Sequence, residues 1–435
     1  MARKMKDSGI EWIGEIPADF SLYKLKYLLS SPLCYGANES GTLYSDILPR
    51  YIRITDISPN GTLKNSGMLS LDESSAQNYM LHEGDILFAR SGATVGKSFI
   101  YHNYYGRAAY AGYLIKASFN RLVLPEFVYY YTCSSAYEIW KNSIFIQSTI
   151  QNIGADRYSN LPISVPNSID KQLRIVRYLN NFCSKFDAIV YNLQTSIEDY
   201  KKLKQAVITQ AITKGVRGER EMKDSGVEWI GKIPREFDSV QLKFFCKLIT
   251  DGTHFSPTTV ENGWPYITAG DVHGIGLDYN SAKRISEEDF QLLVAQGCQP
   301  LKGDVLLVKD GATTGRVGFV DSDTPCVILS SVAMLRPADN TDGHYLMYLL
   351  ASDFLQKQIL VSMAGSAMPR TTLTKLTKYI GLLPPLHEQK EIANYLDAKC
   401  AEIDKLIAKK EQLVKELESY KKSLIYEVVT GKREV

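Results

Sequence analysis

From Ile175 onward, apolar side chains return in alternating steps of four and three: Ile175, Leu179, Phe182, Phe186, Ile189, Leu193, Tyr200, Leu203 and Val207, with Ser196 as the polar exception. A second series does the same near the end of the chain, through Ile392, Leu396, Ile403, Leu406, Leu413, Leu417, Tyr420 and Leu424, interrupted at Lys399 and Lys410. A repeat of 3.5 residues places one apolar stripe along a helix, and neither stretch contains a Pro or Gly that would end it. Two helices of roughly forty residues are predicted, each on the order of 60 Å long at ~1.5 Å per residue. Neither can bury its stripe alone, so the two should pair. Ordinary bundle helices within one domain are the alternative.

Between and before these helices the pattern changes to short apolar runs bounded by turn residues. Ile86–Ala89 and Val305–Val308 read as strands, introduced by turns at 82–85 and 302–304. Residues 127–140 and 345–359 carry Tyr, Phe and Leu at helical spacing, which marks core rather than a ligand site. The segments 18–166 and 235–385 are therefore expected to be two α/β domains, each followed by one of the long helices.

These two halves are copies. Residues 5–17 read Met-Lys-Asp-Ser-Gly-Ile-Glu-Trp-Ile-Gly-Glu-Ile-Pro and recur at 222–234, with Val227 for Ile10 and Lys232 for Glu15. The shift of 217 residues, from Met5 to Met222, also maps Gln172 to Gln389, Tyr178 to Tyr395, Leu179 to Leu396, Cys183 to Cys400 and Thr213 to Thr430. Half a chain is too long for a solenoid period and suits a domain plus a connector. The C-terminal residues 430–435 resemble the tail that begins at Thr213, with the head that should follow it cut off and placed at residue 5. A pseudo-two-fold molecule with neighbouring termini follows, and its symmetry makes the helix pair antiparallel.

Composition narrows the class. With 435 residues, 45% apolar and 23% charged, the chain can form sizeable cores in roughly two to four domains. A net charge of +2 allows local basic surfaces without demanding nucleic acid. The seven cysteines form no Cys-x-x-Cys pair and have no clustered His, which argues against zinc or a disulfide framework and for a reducing cytoplasm. No apolar h-region follows the first basic residues and no apolar run reaches spanning length, so a soluble, untargeted protein is expected.

One loop invites a nucleotide-binding reading. Residues 92–98 read Gly-Ala-Thr-Val-Gly-Lys-Ser after a predicted strand, but three residues separate the glycines where a Walker A has four. The matching loop at 311–317, Gly-Ala-Thr-Thr-Gly-Arg-Val, lacks both the Lys and the following hydroxyl. Both loops share a cation on either side of a Gly-rich turn: Arg90 and Lys97 in one, Lys309 and Arg316 in the other. Such groups suit phosphate and base-edge contact, and a plain β-hairpin is the alternative.

A second candidate surface precedes each long helix, at 147–152 and 365–372, where amides, hydroxyls and an arginine gather. Segments 35–39 and 251–255 are ranked with it. The candidate DNA-contacting set is Arg90, Ser91, Thr94, Lys97, Gln147, Ser148, Thr149 and Gln151 in the first half. In the second it is Thr253, His254, Lys309, Asp310, Thr313, Thr314, Arg316, Ser366, Arg370 and Thr371. No Gly-x-Ser-x-Gly, His-Glu-x-x-His or Asn-Pro-Pro-aromatic element occurs, and Glu388 ahead of Lys390 reads as a carboxylate at a helix start.

The duplicated head, the Gly-Asp-x-Leu strand leading into Gly-Ala-Thr-x-Gly, and Pro-Pro-Leu-His-Glu-Gln-Lys-Glu-Ile at 384–392 opening a long helix together resemble the DNA specificity subunits of type I restriction-modification enzymes. The first half departs at 166–172, one residue longer between Pro and Gln and without the double proline. The resemblance implies an α/β (α+β) chain of two pseudo-two-fold related target-recognition domains joined by a long antiparallel two-helix coiled coil. It places the first recognition domain at 1–166, the central helix and linker at 167–221, the second recognition domain at 222–385 and the C-terminal helix at 386–435. It implies a non-catalytic subunit whose domains each read half of a bipartite duplex DNA site, with the helices setting the spacer. Two modification subunits would supply S-adenosylmethionine chemistry, and restriction subunits would supply ATP- and Mg-dependent cleavage. A coiled-coil protein adaptor and a self-sufficient methyltransferase or nuclease are the competing classes.

Overall fold

The computed structural model describes residues 3–435 apart from 59–60, 93, 147–151, 275 and 364–368. The chain forms two compact units, Met1–Gln194 with Gln412–Val435, and Thr195–Glu411.

In the first unit the head is a hairpin of Met5–Asp7 with Glu15–Pro17. Phe20–Lys24 then pairs antiparallel with Pro162–Pro166, so the two ends of the globular insert are stitched together. Between them lie two four-stranded sheets. One has the order Cys34–Tyr35, Leu114–Ala117, Ile86–Ala89, Ser98–Ile100 and is antiparallel throughout. The other runs Ala108–Tyr110, Arg50–Ile52, Leu69–Ser70, Thr42–Leu43, with Ala108–Tyr110 parallel to Arg50–Ile52.

The second unit repeats this plan strand for strand despite its different sequence. Cys246–Asp251, Val332–Pro337, Val305–Val308 and Val317–Phe319 form the antiparallel sheet. Thr259–Val260, Lys283–Ile285, Trp264–Ile267 and Val327–Ile328 form the mixed one, with its parallel pair at the same place. The strands predicted at Ile86–Ala89 and Val305–Val308 are unbroken apolar runs because both of their faces are covered. Ile86 and Phe88 enter one core while Leu87 and Ala89 enter another, and Val305 with Leu307 and Leu306 with Val308 divide in the same way.

Each of the two helical stretches expected at 127–140 and 345–359 is in fact a pair of helices. They are Pro125–Thr132 with Ser135–Ile146, and Gly343–Ala351 with Asp353–Ser362. The break falls at Ser134 and Ser352, both fully buried, whose hydroxyls donate to the carbonyls of Tyr131 and Leu349 three residues back. A serine that takes up a backbone carbonyl competes with the helical ladder, and periodicity alone does not register it.

The long helices are Ile169–Lys214 and Leu386–Val429. Within each unit they run antiparallel. In the second unit Lys204 meets Asp404 at 2.6 Å and the Lys410 ammonium lies 5.6 Å from the Tyr200 ring centre, so one helix advances as the other retreats. In the first unit Lys421 meets Asp187 at 2.5 Å and the rings of Phe186 and Tyr420 stack at 5.8 Å.

The inward stripe differs from the predicted heptads. Ile189, Leu203, Leu406, Leu413 and Tyr420 are exposed, whereas Val190, Lys204, Ile407, Val414 and Lys421, one position later, turn inward. Ile197 does so beside Ser196, and Cys400 in place of Lys399. The inward series from Ile175 to Ala211 and that from Ile392 to Val428 each cover 36 residues in ten steps, which is the period of a straight α-helix. A strict 3.5 repeat drifts by about 20° per heptad from that geometry, which over about five heptads moves the seam by one residue.

The predicted meeting of the termini is found within the first unit. Arg3 donates to the carbonyl of Gly431 at 2.9 Å, and Tyr426 donates to the carbonyl of Ile13 at 3.1 Å. Arg220 makes the equivalent 2.9 Å bond to the carbonyl of Lys214 in the second unit, where the chain is continuous. No helix among the described residues is long and apolar enough to cross a membrane.

Candidate nucleic-acid interface

Each Gly-rich loop joins two antiparallel strands, Ile86–Ala89 to Ser98–Ile100 and Val305–Val308 to Val317–Phe319. A phosphate-cradling P-loop opens a helix, so the hairpin geometry removes the nucleotide-binding reading. The turn is tightly closed by backbone bonds, with Gly96 N to the carbonyl of Ala89 at 2.9 Å and Gly315 N to that of Val308 at 2.8 Å. Gly96 and Gly315 sit at φ of 83° and 97°, which a side chain would strain, and that explains the glycines without invoking a ligand.

The strand that enters each loop is anchored at its other end by the Asp of Gly-Asp-x-Leu. Asp85 accepts from His82 N at 2.9 Å and from the Ser118 hydroxyl at 2.6 Å. Asp304 accepts from Leu301 N at 2.7 Å and binds Arg336 through two nitrogens at 2.8 and 2.9 Å. Hydrogen bonding to this carboxylate holds the Arg336 guanidinium's pKa above its ordinary value. Both carboxylates are buried and serve the fold.

In each unit the structure brings the two separately predicted surfaces together. Ser91 bridges Asn152 antiparallel, and Ile153 N donates to the carbonyl of Arg90 at 2.8 Å. Asp310 bridges Arg370 in the same way, and Thr371 N donates to the carbonyl of Lys309 at 2.9 Å. The Thr314 hydroxyl ties the second loop to this segment through the carbonyl of Pro369 at 3.2 Å. A third strand adds Tyr35 and Asp251. The guanidinium of Arg90 lies 4.8 Å from the Tyr35 ring centre, and the Tyr35 hydroxyl accepts from Ala155 N at 3.0 Å. Asp251 meets the Lys309 ammonium at 3.3 Å.

The chain leaves this strand through Gly36 and Gly252, where a Cβ would come within 2.3 Å of the Tyr110 carbonyl oxygen and 1.9 Å of the Ile328 carbonyl oxygen. By sequence 35–39 and 251–255 are candidate surfaces only, and the structure adds that Tyr35 and Asp251 each touch the first cation of a Gly-rich loop. The signal was present as a shared Gly after each residue.

The candidate side chains are not equally available. Lys97, Arg316, His254 and Arg370 are exposed, and Arg90, Ser91, Thr94, Asp310, Thr313 and Thr314 are half-buried. Lys309 is buried between two carboxylates, with Asp310 at 2.9 Å as the nearer. Thr371 is fully buried, its hydroxyl against that of Tyr379 at 2.6 Å, and Thr253 is buried, its hydroxyl accepting from Phe255 N at 2.9 Å. Gln147, Ser148, Thr149, Gln151 and Ser366 lie outside the described residues.

A family model described as "Type I restriction modification DNA specificity domain" matches residues 44–199 and 234–416. Among curated relatives, the type I restriction enzyme MjaVIII specificity subunit of Methanocaldococcus jannaschii is 24% identical over 364 residues, covering 81% of this chain and 80% of its own. The putative MjaX specificity subunit of the same organism is 25% identical over 436 residues, covering 97% and 95%. A solved chain from a study of complex assembly and conformational transition of the type I R-M system superposes with a TM-score of 0.70 at 17% identity. That match covers 96% of this chain and 99% of the other.

Proposed function

Since the chain belongs to the type I restriction-modification DNA specificity family, we propose that each of its two sheet domains reads one half of a bipartite duplex site through the edge where the Gly-rich hairpin meets the segment preceding the long helix. The protein's role is sequence-specific DNA recognition within a type I system, and it acts as a recognition component rather than as an enzyme.

The observation that carries the reading is the repetition of one edge on two divergent sequences. Both units keep the same strand order, turn and bridge, while the side chains on that edge differ. A fixed frame with variable groups at one place is what two independent base readers require. Exposed cations at Lys97, Arg316 and Arg370 supply phosphate or base-edge contact, and hydroxyls at Ser91, Thr94 and Thr313 supply adaptable hydrogen bonds.

The long helices set the number of unspecified base pairs between the half-sites and dock two modification subunits. Those subunits bind S-adenosylmethionine, and restriction subunits bring ATP and Mg. This chain's own residues bind and orient the DNA.

The test is methylation mapping of the host genome with and without this gene, joined to a band shift of duplex DNA with the purified chain and its modification partner. Loss of one bipartite motif together with a sequence-dependent shift supports the reading. An unchanged methylome with no shift at low salt removes it in favour of a protein adaptor.

A further inference from the structure

The two reading edges place chemically different groups at the same backbone positions. Arg90 N donates to the carbonyl of Tyr113 at 3.0 Å, and Lys309 N donates to that of Ser331 at 2.8 Å, so Arg90 and Lys309 occupy one position of the shared frame. Their surroundings are opposite. Arg90 lies over the face of Tyr35, and among the described residues its Nε has no hydrogen-bond partner. The neighbouring Tyr113 is 64% exposed. Lys309 instead ends between Asp251 and Asp310, with its side chain 3% exposed.

Asp310 is shared. Its Oδ2 faces Lys309 at 2.9 Å, and its Oδ1 is paired with Nε of Arg370 at 2.9 Å, an ion pair without hydrogen-bond angles. Arg370 is 59% exposed along its side chain. A guanidinium held by Nε keeps its two terminal nitrogens for another ligand, and the pair matches the O6 and N7 acceptors of guanine.

Resting on the DNA-reading role proposed above, we infer that the two matched cations do different work. Arg90 meets a guanine edge directly, with Tyr35 as its plate. Lys309 is a positioning residue that holds Asp310, and through it Arg370, which is the guanine reader of the second domain.

The charges explain the division. Bringing the Lys309 ammonium out to DNA would leave Asp251 and Asp310 unpaired and facing a polyanion. Left in place, Lys309 cancels one carboxylate and Arg370 the other, so the edge is neutral and one guanidinium is presented. Arg90 has no carboxylate partner among the described residues and needs no such counterion.

The experiment measures methylation of the host genome by the full system carrying single variants, with folding checked by thermal unfolding of each purified chain. Arg370→Ala is expected to relax one base pair of the second half-site, losing roughly 5–150-fold in discrimination. Arg90→Ala should do the same in the first half-site, and Tyr35→Phe should keep that discrimination where Tyr35→Ala loses it.

Lys309→Met alone should lower methylation at all sites by roughly tenfold or more, because Asp251 loses its partner and one uncompensated carboxylate then faces the phosphates. The double variant Lys309→Met with Asp251→Asn, which keeps the Asp310–Arg370 pair, should recover to within about threefold of wild type and retain the base preference. A double variant as impaired as Lys309→Met, together with unchanged specificity in Arg370→Ala, makes Lys309 the reader and overturns the inference. If the wild-type system shows no bipartite motif at all, the DNA-reading proposal itself falls, an outcome distinct from both.

Discussion

Lys204 and Asp404 face each other at 2.6 Å, and a shift of 217 residues turns this pair into Lys421 and Asp187, which meet at 2.5 Å. One ion pair therefore recurs in the two units with its helices exchanged. Only an antiparallel crossing can do this, because the lysine of one helix must become the lysine of the other. All four side chains are partly exposed, so the pairs fix register more than they add stability, about 0–1 kcal/mol each. The charge-reversed double variant Lys204→Asp with Asp404→Lys should unfold within ~1 kcal/mol of wild type, whereas Lys204→Asp alone should be less stable than the double. Chemical denaturation of the purified chain checks this.

The start of each long helix is fastened by a glutamine. Gln389 accepts from Asp342 N at 2.9 Å and donates to the carbonyls of Asn340 and Pro384 at 2.9 and 2.8 Å. Gln172 repeats this with Leu124 N, Leu122 and Pro166, and both amides are fully buried. The extra residue at 166–172 does not disturb this docking. Replacing either by Leu leaves buried backbone groups unpaired and should cost roughly 2–5 kcal/mol, read as a lowered denaturation midpoint. Leu at 389 should loosen the second unit before the first.

Exchange of residues 18–166 for the equivalent segment of another family member should alter one half of the methylated motif and spare the other half and the spacer. The ends of that segment are stitched by Phe20–Lys24 with Pro162–Pro166, which allows it to be replaced as a block. Methylation mapping decides; a change in both halves rules out independent readers.

Four residues inserted near Thr195 lengthen the first long helix by ~6 Å and advance it by about one turn, so the seam is nearly kept. The half-sites should retain their sequences while the spacer grows by one or two base pairs. An unchanged spacer at full methylation means that the helices do not set it. Pro at Leu193 should instead break the helix, at ~3 kcal/mol or more, and weaken assembly before it changes base preference.

Cys34 is the one exposed cysteine among the described residues and adjoins Tyr35 on the first reading edge. Burial pushes Cys133, Cys246 and Cys326 up to about 12 and Cys183 to about 11, so these thiols are protonated at neutral pH. Iodoacetamide at pH 7.5 should label Cys34 in the native chain and all seven cysteines after denaturation. Cognate duplex should slow labelling of Cys34, which mass spectrometry measures directly; equal rates with and without bound DNA would place the DNA elsewhere.

The duplication, the two long helices, their antiparallel sense and the meeting of the termini were all legible in the chain, because each is written in positions a fixed distance apart. The covered strands at 86–89 and 305–308 were legible for the same reason. Which residues line the helix seam was not. Ile189 and Val190, or Leu203 and Lys204, offer neighbouring candidates for one stripe, and only the partner helix selects between 3.5 and 3.6 residues per step. The reading edge divided similarly. Its loops could be found from glycines and cations, but Lys309 and Arg90 look alike in sequence. Lys309 is consumed by Asp251 on a distant strand while Arg90 rests on Tyr35, and such pairings arise from strands brought side by side, which no local pattern of residues records.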